Sequence, residues 1–464
     1  MSTSDEEILR KQLKPNPTNE EVIDVIRTNY FNNGGDSSSG DVVDVDIKLI
    51  KELDSYDDRN LWISVNGKNY LAKVHNGVES RDMIRFLTKT GNDENRKDDD
   101  YRRSAIHLQN SIMKHLNVCN ITTNQPQLPS DTISSSTTTA SSSSSSIAGV
   151  AVATLSVVSS KDSPTPLVVR LLGWVDGRPM SSFPMLPIEG IADSGRFLGN
   201  LNYALSTLPN SDQLLASKRY HQWDGKNTAD LKDFVKYVTD DRKRSMVESV
   251  IKAFQTNILD TIKTGETTFE KSIIHGDFND ANFLLNDNFQ VSGVIDFGDS
   301  VESWTILDLS VAMAYSMMNS YGKRRRSLSA AAALLRGYNS VRKLTKDERR
   351  HLPLLIACRL SCSATLGAYS YAQNPGNEYL LLHAKPAWDA LDLIWGTDSE
   401  HRAVVHTSIN ELFDLACSST DDDVGKDDVI DCSDLCFPDP SIPDPIAAIR
   451  SGSTDNVSEK KRKL

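Results

Sequence analysis

The sequence predicts an α+β protein of two lobes, a small antiparallel sheet followed by a mainly helical region. Three observations carry this. Apolar residues alternate with polar ones through Val45–Val74 and again near Ala151–Val175. After residue 188 the apolar spacing changes to three and four. A nearly pure Ser/Thr tract, Ser134–Ser146, interrupts the strand-rich part without adding apolar residues.

The elements follow in order. Residues 1–45 are polar, with a loop-like run at Asn32–Gly40, and are expected to form an N-terminal extension. Val45, Ile47 and Leu49 alternate, as do Leu61, Ile63 and Val65, and Asn66-Gly67 is a tight-turn pair leading to a returning strand, Tyr70–Val74. Residues 91–104 are highly charged and are expected to be solvated. Ile106–Leu116 suits a short amphipathic helix. The Ser-rich tract cannot bury enough apolar surface to offset its ordering entropy and is expected to be a disordered insertion around residues 129–147. Strands at Ala151–Val158 and Leu167–Val175 end in turn chemistry at Asp176-Gly177-Arg178-Pro179. Ile188, Ile191, Leu198, Leu201, Leu205 and Leu208 then form one helical stripe, and further helices are expected at roughly 229–264, 304–321, 328–341, 346–372 and 378–395. The expected division is a sheet-rich lobe at 46–175, a helical lobe at 176–417 and a disordered acidic tail at 418–464.

The formal net charge of −12 argues against a nucleic-acid partner. No stretch approaches the ~20 apolar residues that a membrane span needs, and the acidic start has no apolar core of a signal peptide, so no membrane partner and a cytoplasmic location are expected. The six cysteines make no disulfide framework. Cys358/Cys362 and Cys432/Cys436 each share an x₃ spacing, readable either as reduced thiols or, less conventionally, as zinc ligands.

The informative segment is Ile-Ile-His-Gly-Asp-Phe-Asn-Asp-Ala-Asn-Phe-Leu-Leu-Asn (273–286), followed by Val-Ser-Gly-Val-Ile-Asp-Phe-Gly-Asp (291–299). Strands at Phe283–Leu285 and Val291–Ile295 around an Asn-Asp-Asn turn would bring Asp277, Asn282 and Asp296 to one spot. Phosphoryl transfer needs such a set. One carboxylate orients the hydroxyl and takes its proton; an amide oxygen and a second carboxylate hold Mg²⁺ on the phosphates. Asp277 suits the first role, Asn282 and Asp296 the second. His275 is expected to shape the loop rather than to act as a base.

This string is similar to the signature of the aminoglycoside-phosphotransferase and choline-kinase superfamily. The resemblance implies a protein-kinase-like fold and a small-molecule kinase using GTP or ATP with Mg²⁺. It also implies that Lys73, in Tyr-Leu-Ala-Lys-Val, holds the nucleotide phosphates, a solvent-facing strand lysine being the alternative, and that Ser55 and Tyr56 lie in a loop covering them. One departure stands out: the Ile106–Leu116 helix has His107 and Gln109, but no glutamate, where the lysine's usual partner belongs.

Within the superfamily the chain most resembles the hydroxylysine kinases. The shared stretches are Leu-Asp-Ser-Tyr-Asp-Asp-Arg-Asn (53–60), Val-Arg-Leu-Leu-Gly-Trp-Val-Asp-Gly-Arg-Pro (169–179), the segments above, and Cys-Arg-Leu-Ser-Cys-Ser within 358–370. The implied acceptor is the hydroxyl of 5-hydroxy-L-lysine. Asp299 and Glu302 are candidates for its ammonium groups, and Arg359 for its carboxylate, a helix-surface charge being the other reading of Arg359. The competing functions are phosphorylation of another amino alcohol (choline, ethanolamine or homoserine) and a pseudokinase that only binds. A substrate panel separates the first; the lost helix glutamate favours the second, and the intact Asp277, Asn282 and Asp296 oppose it.

Overall fold

The structure is a computed structural model that describes residues 9–10, 12–31, 45–53, 55, 57–88, 105–129, 153–157, 165–183, 186–373, 384–396 and 399–418. Tyr56, the Ser-rich insertion, the tail, the charged segment at 91–104, and Cys432 and Cys436 lie outside the described residues. The chain divides into two compact units. The sheet-bearing unit comprises Met1–Asp176, Leu208–Arg219 and Gly293–Gly298, the last two being segments that a linear division at residue 175 does not assign to it. The helical unit comprises Gly177–Thr207, Tyr220–Ser292 and Asp299–Leu464.

In the sheet-bearing unit, β1 (Ile47–Leu53), β2 (Arg59–Val65), β3 (Lys68–Val74), β4 (Ala153–Val157) and β5 (Thr165–Gly173) form one antiparallel sheet in the order β1-β2-β3-β5-β4. Asn66 and Gly67 close the β2–β3 hairpin with φ of 48° and 82°, the paired positive values of the turn that matches strand twist. On one face, Leu61, Ile63, Val65, Tyr70, Ala72, Val74, Leu167, Val169 and Leu171 make a continuous apolar layer.

That layer is covered by a helix that the polar N-terminal composition hides. Asn19–Ile26 begins with a capping box: Thr18 Oγ1 accepts from Glu21 N at 3.2 Å, and Glu21 Oε2 accepts from Thr18 N at 2.6 Å. Its Val22 and Ile26, one turn apart, are fully buried on the sheet, each contributing roughly 1.5–3 kcal/mol of apolar burial. On the opposite face Val168 packs with Met83 and Ile106, from the Gly77–Thr88 and Ala105–Val118 helices.

Among the described residues the helical unit contains four long helices, Ile188–Ser206, Arg324–Val341, Lys346–Gln373 and Ser399–Ser418, and the shorter Asp241–Phe254, Ile306–Met318 and Ala384–Trp395. By length and composition Lys346–Gln373 could cross a membrane, contrary to the expectation from sequence. However, 83% of its apolar window is buried inside the protein, the environment of a core helix. Two small sheets carry the motif loops. Strand β7 (Lys271–Ile274) pairs antiparallel with β10 (Val301–Trp304), and β6 (Arg178–Pro179) pairs with β8 (Phe283–Leu285), which neighbours β9 (Val291–Val294).

The Ile188–Ser206 and Arg324–Val341 helices approach closely because glycine lies on both. A methyl at Gly337 would collide with the backbone carbonyl of Ala192, and one at Gly195 with that of Leu334. Alanine normally favours a helix over glycine by about 1 kcal/mol. Here a backbone carbonyl must move, and overpacking of that kind costs roughly 1–3 kcal/mol. Gly337→Ala should therefore lower the urea midpoint of unfolding, and a midpoint unchanged or raised would contradict the close approach.

Candidate active site

The HGD loop begins where β7 ends. Its shape is set by one buried side chain, Asp308 of the Ile306–Met318 helix. Asp308 Oδ2 accepts from His275 N at 2.9 Å, and Oδ1 accepts from Gly276 N at 2.8 Å. Asn202 Nδ2 also donates to Oδ2, at 2.7 Å, and Tyr338 Oη donates to Asn202 Oδ1 at 2.8 Å. Burial raises the Asp308 carboxyl above the ordinary aspartate value, while His275 and the two backbone N–H groups pull it back. Gly276 sits at φ +82°, and a Cβ there would meet Asp299 O at 2.5 Å, so only glycine fits. His275 is buried, and its Nδ1 accepts from Asp277 N at 3.2 Å. The ring thus braces the loop from inside.

Asp277 projects from this frame with both oxygens engaged. Oδ2 accepts from Asn279 Nδ2 at 2.7 Å and from Asn282 Nδ2 at 3.0 Å; Oδ1 accepts from Arg359 Nη2 at 2.6 Å. Asn282 also donates to Asp277 O at 2.9 Å. Asp277 and Asn282 are therefore brought together as expected, and Arg359, anticipated at an acceptor's carboxylate, lies on Asp277. Against its burial, Tyr315 and then Asp277 hold the Arg359 guanidinium above its ordinary value. Nearby in the same unit, Asp299 Oδ1 lies 3.3 Å from His221 Nε2. Glu302, in β10, is half-buried, and its carbonyl accepts from Lys226 Nζ at 2.8 Å.

Lys73 and Asp296 belong to the sheet-bearing unit. Lys73 Nζ lies 3.0 Å from Asp58 Oδ2 and 3.4 Å from Asp296 Oδ1. Burial opposes the lysine's charge, but Asp296 and then Asp58 outweigh it and hold the ammonium above the ordinary lysine value. This is the carboxylate partner missing from the Ala105–Val118 helix: Asp58 comes instead from the β1–β2 connection. Gln109 and Asn110 of that helix, where a glutamate would be expected, accept from Arg170 at 2.5 and 2.7 Å. Asp296 adopts φ +63°, a left-handed conformation uncommon outside glycine, and its Oδ1 accepts from Gly298 N at 3.2 Å. Ser55 is half-buried in the same connection as Asp58.

Around Lys73 runs a further network that no sequence motif announces. Arg170, paired with Lys73 across β5 and β3, donates Nε to His75 Nε2 at 2.8 Å. His75 must then carry its proton on Nδ1, which faces Glu79 Oε2 at 3.2 Å. Burial alone would raise the Glu79 carboxyl, but the His75 hydrogen bond and the Arg10 charge hold it well below the ordinary value. Asp58, His75 and Glu79 lie close enough together to resemble a metal cluster. Arg170, Lys73 and Arg10 already answer their charges, so the group is an ion network. Cys358 and Cys362 are buried free thiols, and burial pushes Cys362 up to about 11, away from the thiolate that a zinc site needs.

Residues 146–352 match the model of a family described as the phosphotransferase enzyme family, APH. In fold the chain is similar to a solved amicoumacin kinase in complex with AMP-PNP and Ca²⁺, with a TM-score of 0.52 at 12% identity, covering 81% of this chain and 94% of that one. The matched segment is thus similar to the phosphotransferase enzyme family, and the chain shares the fold of an APH-type kinase. More particularly, it is similar over most of its length to hydroxylysine kinases. The protein of Mus musculus is 25% identical over 359 residues, 75% of this chain and 85% of its own. That of Bos taurus is 26% identical over 355 residues, 74% and 84%. A homoserine kinase of Bradyrhizobium diazoefficiens is 32% identical, but over 115 residues, 24% of this chain.

Two expectations follow. Asp308→Asn places an amide N–H against backbone N–H donors, a mismatch costing about 1–3 kcal/mol. It should lower the urea midpoint and speed amide exchange at Gly276, and unaltered exchange there would show that the loop is held otherwise. Secondly, burial and then the Arg170 charge push His75 below its ordinary value of 6.5. The unfolded chain therefore binds this proton more tightly, so stability is lost as pH falls below about 6.5 and is complete above it. The slope of unfolding free energy against pH in that window should be smaller in His75→Gln; equal slopes would remove His75 from the account.

Proposed function

We propose that this protein transfers the γ-phosphate of GTP or ATP to the hydroxyl of 5-hydroxy-L-lysine. The observation that carries this is the similarity to hydroxylysine kinases across about three-quarters of the chain, which includes the loop in which Asp277 is fixed. Asp277 would orient the acceptor hydroxyl and take its proton as the oxygen attacks the γ-phosphorus. The bond from that phosphorus to the bridging oxygen breaks, and the nucleoside diphosphate leaves.

Asn282 and Asp296 each offer the kind of oxygen that Mg²⁺ takes. Asn282 spends its amide N–H on Asp277, which leaves its oxygen as the donor, and the Asp296 carboxylate is 47% exposed; both are the hard oxygens this ion takes. When bound, the ion would neutralise charge on the phosphates. Lys73, already held charged, would take a phosphate oxygen, with Ser55 and Tyr56 contributing from the β1–β2 connection. Asp299 and Glu302 would receive the ammonium groups of the acceptor.

The shorter match to homoserine kinases supports a second acceptor, homoserine. A panel of 5-hydroxylysine, homoserine, choline and ethanolamine, each with GTP and with ATP, separates the readings. Phosphorylation of 5-hydroxylysine at the highest kcat/KM is expected, and no turnover of any alcohol would support the binding-only alternative. In the same assay Asp277→Asn should lower kcat by roughly 10²–10⁴-fold. Nucleotide Kd by calorimetry should stay unchanged, and near-normal kcat in a folded variant would sink the assignment.

A further inference from the structure

We infer that Arg359 is the residue that positions Asp277, fixing the plane of its carboxylate. The inference rests on the reading of Asp277 as the group that receives the hydroxyl proton, and it assigns Arg359 to the protein's own carboxylate rather than to the acceptor's.

Arg359 comes from the middle of the buried Lys346–Gln373 helix and is only 5% exposed. Its head is held from several sides. The guanidinium carbon lies 5.3 Å from the centre of the Trp223 ring and 5.4 Å from that of Tyr315. Nη1 donates to Trp223 O and Nη2 to Tyr315 Oη, both at 3.4 Å, while the short 2.6 Å bond goes to Asp277 Oδ1. A planar cation beside two aromatic rings has few alternative orientations, and its Nη2 is thereby aimed at the carboxylate.

The consequence falls on Asp277. Asn279 and Asn282 hold Oδ2, but both come from the same short loop as Asp277 and move with it. Arg359 is 82 residues away in sequence and belongs to the core helix, so it ties the carboxylate to a rigid element. Without it the carboxylate can rotate about its Cβ–Cγ bond, and a misplacement of about 1 Å in a reacting group can cost on the order of 10²-fold in rate. Nε of Arg359 finds no acceptor among the described residues, so a contact with the acceptor through Nε is the rival role, and KM is the quantity that separates the two.

The test is steady-state kinetics on 5-hydroxylysine with Arg359→Ala, Arg359→Lys, Asp277→Asn and the double variant Asp277→Asn/Arg359→Ala, with rates scaled to nucleotide-binding-competent protein. Arg359→Ala should lower kcat by about 10²-fold, with acceptor KM within a few-fold of the parent, and added guanidinium should restore part of the loss. Arg359→Lys keeps the charge without the fork and should fall between. It also serves as the reading should the alanine variant not fold. The double variant should be no slower than Asp277→Asn alone, because the two residues act as one unit. A large rise in KM with kcat retained, full additivity in the double variant, or wild-type kcat in Arg359→Lys would each overturn the inference. If Asp277→Asn itself keeps its kcat, it is the reading of Asp277 that fails, and the two failures are thereby distinguished.

Discussion

The loop that carries Asp277 depends on one buried carboxylate. Asp308 has no solvent to stabilise its charge and obtains that stabilisation from the backbone N–H groups of His275 and Gly276 and from Asn202. Each of those donors is in turn fixed: the two amides because β7 is paired with β10, Asn202 because Tyr338 holds its oxygen. A charge buried in a medium of low dielectric tolerates little displacement of its partners. The loop that presents Asp277 therefore takes its geometry from three helices as well as from its own residues.

The sheet-bearing unit solves a related problem with the opposite sign. Lys73 and Arg170 are cross-strand neighbours, and burial of two cations side by side is unfavourable. Desolvation pushes Arg170 down to about 10, with Asp58 and Glu79 opposing that shift. The carboxylates of Asp58, Glu79 and Asp296 and a neutral His75 make the pair tolerable. The network explains how a lysine can keep its charge in a nearly dry site without a glutamate from the Ala105–Val118 helix. The β1–β2 connection supplies the carboxylate instead.

The residues differ in how far the sequence discloses them. Period-two alternation and Asn66-Gly67 suffice for the β2–β3 hairpin because one face is buried and the turn tolerates few other pairs. The HGD and DFGD strings suffice for the motif loops because few chemistries want that order of carboxylates and amides. Averaging hides the N-terminal helix, since its two buried residues lie in a polar stretch, although Thr18 and Glu21 at the capping-box spacing are a usable signal. Asp58, Asp308 and Arg359 are harder to read. Asp58 is one of several polar residues in its stretch, with nothing local to single it out, and Asp308 in an apolar helix is an oddity until a partner is known. Arg359 stands out in its apolar helix, but the identity of the carboxylate it meets is a matter of tertiary packing. No local pattern encodes a contact 82 residues away.

Asp296 carries a conflict that selection must hold open. A left-handed backbone costs a residue with a Cβ roughly 1–2 kcal/mol relative to glycine. Glycine would relax the turn, but it would also take from the buried Lys73 the carboxylate that does most to hold its charge. The carboxylate is what the proposed chemistry asks for, and glycine has none. The strained backbone is therefore retained for two reasons at once, the charge balance around Lys73 and the proposed chemistry, and a glycine there would forfeit both.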